Sequence, residues 1–172
     1  MQFKLEQAVE ILSQTPHTLR SMLGNLSEDW TGGGSEKDWS PYDVVGHLIH
    51  GEKTDWIPRA RIILAQGDDL TFMPFDRLAQ FENSKGKTLH ELLDEFERLR
   101  SENLRELDVM AITPEKLALE GMHPELGPVD LLQLLSTWAV HDLNHIRQIV
   151  KFMAERYAGN VGPWTQYLLI LQ

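Results

Sequence analysis

Two histidines, His141 and His145, lie four residues apart in a segment of helical periodicity, so their imidazoles fall one turn apart on the same face. Two side chains so placed can reach one metal ion. The spacing alone is weak evidence, since random placement of seven histidines in 172 residues gives ~0.3 such pairs. Their position on the helix says more. At 100° per residue, Leu134, His141, His145 and Phe152 share an arc of roughly 40° with Trp138 beside it, which turns both imidazoles inward. Two readings follow: core histidines hydrogen-bonded to backbone or carboxylate, or a pair of ligands satisfied together by a divalent ion.

An earlier segment supplies further candidates. His47 flanks the apolar stripe made by Val44, Val45, Leu48 and Ile49, whereas His50 lies further round toward the polar side, so His47 is the better inward ligand. Glu52 and Asp55 fall within the apolar arc of the same segment. Asp55 has Arg59 four residues on, the spacing of a helical ion pair. Glu52 has no such local cation, so it is either a surface residue on a shallower face or an acid near the metal. Asp142 and Gln148 are placed either to orient the imidazoles from outside or to be solvated.

The elements that must carry these residues read as all-α. Apolar periodicity predicts four helices at about 3–26, 40–66, 88–109 and 128–157, with no convincing strand. Pro16 predicts a kink or break after Ser13, with Thr15 capping the second piece. Ser40-Pro41-Tyr42-Asp43 and Thr88-Leu89-His90-Glu91 are helix-start signals, the latter a capping box. The stretch 70–86 reads as irregular with a helical turn near Asp76–Phe81, and 113–127 as a long connection. Four helices joined by long connections point to a four-helix bundle, the connections permit a crossover as well as a simple up-and-down topology, and a chain of 172 residues suits a single domain, 1–172.

Composition removes whole classes of function. A net charge of −10 repels nucleic acid and anionic lipid, and no apolar run is long enough for a signal peptide or membrane span, so a cytoplasmic setting is expected. With no cysteine, disulfides, thiolate ligands and a cysteine nucleophile are excluded, and any thiol chemistry must use a borrowed thiol. The Gly32-Gly33-Gly34 run lacks the Gly-Lys-Ser/Thr of a phosphate loop and reads as linker.

Two stretches resemble a known family: Trp39-Ser40-Pro41-Tyr42-Asp43-Val44-Val45-Gly46-His47-Leu48 with Glu52, and His141-Asp142-Leu143-Asn144-His145-Ile146-Arg147-Gln148-Ile149. Together they are similar to the DinB-like superfamily of metal-binding four-helix bundles. The resemblance implies a crossover bundle, frequently dimeric, whose divalent metal is held by one histidine of the second helix and an H-x-x-x-H pair of the last, here His47, His141 and His145. It also implies a range of activities, among them S-transfer and isomerisation with low-molecular-weight thiols, and the fold does not choose among them.

Three neutral imidazoles leave an ion its full charge and an open position, the arrangement of a catalytic site. Zinc or nickel is the expected ion, with iron, cobalt, copper or manganese as alternatives. A bound water or thiol would be acidified there, and Glu52 is the expected general base. The leading expectation is a metal-dependent enzyme acting on a small molecule, either a transferase using a low-molecular-weight thiol as cosubstrate or a hydrolase. The alternative is a non-catalytic, metal-binding or stress-associated homodimer. A homodimer is expected in either case, on the resemblance and on the apolar tail of Trp164, Tyr167, Leu168, Leu169 and Ile170.

Overall fold

The computed structural model describes residues 2–172; Met1, the first residue of the expected domain, lies outside them. In chain order the helices are α1 (Leu5–Leu23), α2 (Glu28–Thr31), α3 (Pro41–Thr54), α4 (Trp56–Ala65), α5 (Ala79–Ser84), α6 (Leu89–Val109), α7 (Pro114–Leu117) and α8 (Leu131–Glu155). A hairpin of β1 (Glu120–His123) and β2 (Gly127–Asp130) precedes α8, and short 3-10 turns follow it. Around the bundle the neighbours run α1, α6, α3 with α4, then α8. Chain-consecutive α1 and α3 therefore stand across a diagonal, as α6 and α8 do, which is the expected crossover topology.

The helix starts follow their local signals. Ser40 accepts from the Asp43 amide while the Asp43 carboxylate accepts from the Ser40 amide, and Thr88 with Glu91 makes the same reciprocal pair. Asp130 and Gln133 form a third box, which moves the start of α8 to Leu131 from the expected 128, because Gly127 to Asp130 pair with β1. That hairpin corrects the strand-free reading of the sequence: four residues per strand are too few for alternation to register. Within it Gly121 packs so closely that a β-carbon there would lie 2.5 Å from the Phe72 ring.

Two prolines act differently from expectation. Pro16 does not break α1, which runs unbroken through it, and Thr15 caps nothing; its hydroxyl donates to the Ile11 carbonyl at 3.1 Å. Lacking an amide hydrogen, Pro16 leaves the Leu12 carbonyl without its helical donor. The Arg100 guanidinium of α6 fills that vacancy at 2.7 Å. Pro58 instead divides the segment expected as one helix over 40–66: its ring and missing amide disturb the preceding turn, and the helix is distorted at Asp55, with φ −104° and ψ −74°. The helical turn expected near Asp76–Phe81 forms slightly later, as α5.

The core is divided. Leu12, Trp56, Ile57, Leu135 and Trp138 belong to one buried apolar cluster, and Leu19, Val44, Leu48, Phe96 and Ile149 to another. Burying each such side chain contributes about 1.5–3 kcal/mol. Between the clusters runs a polar layer: Thr15 of α1, Glu52 of α3, Arg100 of α6 and Asp142 of α8, all at most 2% exposed. No helix of the described residues is long and apolar enough to cross a membrane.

Candidate metal centre

His47 reaches inward from α3, and His141 and His145 from successive turns of α8. The His141 Nε2 lies 3.2 Å from His47 Nε2 and 3.0 Å from His145 Nε2. Tetrahedral coordination with bonds of 2.0–2.1 Å requires ligand nitrogens about 3.3 Å apart, so the three atoms stand close to the spacing of one coordination sphere. Among the described residues, these three form the one cluster of potential ligands. His50 is not part of it; the half-buried ring lies 4.8 Å from Phe75.

The protonation states suit ligation. Burial, and next the neighbouring imidazoles, lower the pKa of His47 to about 2; burial, His145 and Arg100 lower that of His141 to about 3; burial lowers that of His145. All three are neutral at pH 7. The His145 Nδ1 stands 2.8 Å from the Gln148 side-chain oxygen, which makes Nδ1 the protonated nitrogen and leaves the Nε2 lone pair facing the other two rings. Gln148 thus holds the tautomer from outside, whereas the buried Nδ1 atoms of His47 and His141 have no partner among the described residues. Trp39 and Phe75 pack on His47 at 4.9 and 5.3 Å, and Trp56 on His141 at 5.1 Å, fixing the rings by contact.

Glu52 is elsewhere than expected. One oxygen accepts from Arg100 at 2.8 Å and from the Trp138 indole at 3.1 Å, and the other from Asn103 at 3.0 Å. With its acceptor sites so engaged in the polar layer, the carboxylate does not line the pocket that opens on the imidazoles. Asp142, one residue from His141, is fully buried and not solvated, and it takes two hydrogen bonds from Arg100 at 2.6 and 3.0 Å. Arg100 was missed by the sequence reading, yet a signal existed. It lies four residues after Phe96 and seven before Leu107, on the buried stripe of α6.

The pocket has a volume of about 540 Å³ and runs between α3, α4, α8, the 70–78 segment and the hairpin. Besides the imidazoles it is lined by Trp56, Phe72 and Leu134, and by the expected Asp55 and Arg59 pair, at 2.7 Å. Burial raises the Asp55 pKa to about 6 against the pull of Arg59.

The sequence matches the DinB superfamily over residues 11–149. Among solved structures the fold is similar to that of YfiT from Bacillus subtilis, described as a probable metal-dependent hydrolase with an unusual four-helix bundle topology. The TM-score is 0.73 and the identity 17%, over 88% of this chain and 86% of that one. No curated protein matches the sequence.

Proposed function

The chain belongs to the DinB superfamily, and from that premise we propose that His47, His141 and His145 hold a divalent metal ion, zinc or nickel, in an enzyme acting on small molecules. The observation that carries this reading is the convergence of three neutral imidazole nitrogens at 3.0 and 3.2 Å, from buried His47 and His145 and half-buried His141. Bound there, such an ion would supply Lewis acidity and lower the pKa of a water or thiol in its open position. The chain's own residues do the rest. Gln148 fixes the His145 tautomer, the rings of Trp39, Phe75 and Trp56 hold the imidazoles and keep bulk water from them, and the apolar pocket walls seat the substrate.

The reaction is hydrolysis or transfer of a low-molecular-weight thiol, with the thiol brought as cosubstrate because the chain has no cysteine. The role of general base is not assigned to Glu52, whose oxygens are taken up by Arg100, Trp138 and Asn103. Elemental analysis of untagged protein, followed by turnover assays with thiols and electrophiles or esters, tests the reading. Protein that binds neither zinc nor nickel stoichiometrically would refute it. A structural, non-catalytic ion would instead resist chelators, and its removal would unfold the bundle.

We also propose a homodimer. Its support is the apolar surface at the C-terminal end, where Trp164, Tyr167 and Leu169 are 67%, 72% and 81% exposed and so do not cap their own bundle. Val140 and Leu143 are exposed on α8.

A further inference from the structure

The pocket that opens on the imidazoles has a second polar end. Trp56 lies beside His141, and one helical turn beyond Trp56 stands Arg59, its guanidinium 5.3 Å over the Phe72 ring. Arg59 is 7% exposed and lines the pocket. Its partner is a single carboxylate: Nη2 stands 2.7 Å from Asp55 Oδ1 at a poor hydrogen-bonding angle, and among the described residues the buried Nε has no acceptor at all.

The same molecule holds a second buried arginine with fuller partnership, in which only Nε lacks an acceptor among the described residues. Arg100 is also packed over aromatic rings, Phe96 at 4.9 Å and Trp138 at 5.2 Å, and it binds two carboxylates, Asp142 and Glu52, with the Leu12 carbonyl as well. Arg59 has one ring, Phe72, and one carboxylate, Asp55. Among the described residues no second acceptor reaches this side chain, which faces a ligand-sized cavity.

We propose that Arg59 binds the carboxylate of the substrate, so that the pocket takes apolar or aromatic carboxylic acids whose other end reaches the three histidines. The planar fork of a guanidinium matches a carboxylate with two parallel hydrogen bonds, and in a buried pocket such charge-assisted bonds are strong. Asp55 beside it disfavours a doubly charged phosphate by like-charge repulsion. Between Arg59 and the imidazoles the walls are Trp56, Phe72, Val129 and Leu134, which suit an apolar body. The identity of the reacting end rests on the metal reading above; the carboxylate subsite does not.

The test is calorimetric binding of 4-phenylbutanoate and of its neutral amide to the full chain, metal-free and zinc-loaded. The acid should bind wild-type protein at least about tenfold more tightly than the amide in both states. In the double variant Arg59→Gln, Asp55→Asn, which leaves neither charge buried alone, that preference should vanish while zinc binding persists. Arg59→Lys, which keeps the charge and loses the fork, should show a reduced preference and serves if the double variant fails to fold. A preference that survives these changes, that appears only with zinc, or that is absent from wild type overturns the proposal, as does failure of both compounds to bind. If the preference depends on Arg59 but zinc does not bind at all, the subsite stands and the metal reading falls.

Discussion

The Arg100 guanidinium grips the Asp142 carboxylate with two bonds, at 2.6 and 3.0 Å, one residue along α8 from His141. Because Arg100 also holds Glu52 of α3 and the Leu12 carbonyl of α1, one side chain ties together all four long helices at the level of the histidines. Arg100 thus links α3 and α8, the helices that carry His47 and His141.

Replacing Arg100 with Met should strand two buried carboxylates and the carbonyl that Pro16 frees. A loss of about 3–5 kcal/mol in urea unfolding is expected, since breaking a buried ion pair from one side leaves uncompensated charge. Adding Glu52→Gln and Asp142→Asn should recover part of it. An Arg100→Met protein as stable as wild type would show that the layer does not hold the bundle.

His47→Ala, His141→Ala or His145→Ala should each reduce metal content measured on untagged protein, and His50→Ala should leave it near the wild-type value. Retention of metal by His47→Ala with loss in His50→Ala would place the site on the other side of α3.

Gln148→Ala removes the acceptor that sets the His145 tautomer. Outer partners of this kind are worth about 10–100-fold in metal affinity, and competition with a chromogenic chelator would read the change. Unchanged affinity would mean that packing alone orients the ring.

The metal-free protein should be destabilised by acid through its histidines. Burial, and then the neighbouring rings, hold His47 at about 2 and His141 at about 3, below the ~6.5 of an unfolded chain. The unfolded state then binds more protons, so this stability is present above ~6.5 and is lost as pH falls toward the folded values. Asp55, raised by burial to about 6, acts in the opposite sense and gains stability as pH falls through that value. In paired urea titrations from pH 7 to 5, His47→Gln should gain on wild type by about 1.4 kcal/mol per pH unit once below ~6.5. Parallel curves would contradict a buried neutral His47.

Light scattering should give twice the 19.8 kDa chain mass at micromolar concentration, and Trp164→Ser with Leu169→Ser should shift it toward the monomer. A monomer mass for wild type across that range would reject the dimer.

The sequence by itself determined what local chemistry determines. The face shared by His141 and His145 follows from helical pitch, the starts of α3 and α6 from side chains three residues away, and the Asp55–Arg59 pair from a spacing of four. Position on the helix favoured His47 over His50, and a resemblance of motifs added its meeting with the other two histidines and the crossover. Tertiary structure decided whatever depends on a partner distant in the chain. Pro16 stays in a continuous helix because Arg100, 84 positions later, satisfies the carbonyl it orphans, and no local rule could supply that donor. Glu52 read as a surface residue or an acid at the metal, and Asp142 as a group orienting the imidazoles or a solvated one; both are counter-charges to one buried arginine, since a low-dielectric interior makes any charge find its opposite. The hairpin and the Asp55 interruption were hidden for another reason: strands of four residues and a proline on an otherwise apolar stripe carry too little periodicity to outweigh the helical pattern around them.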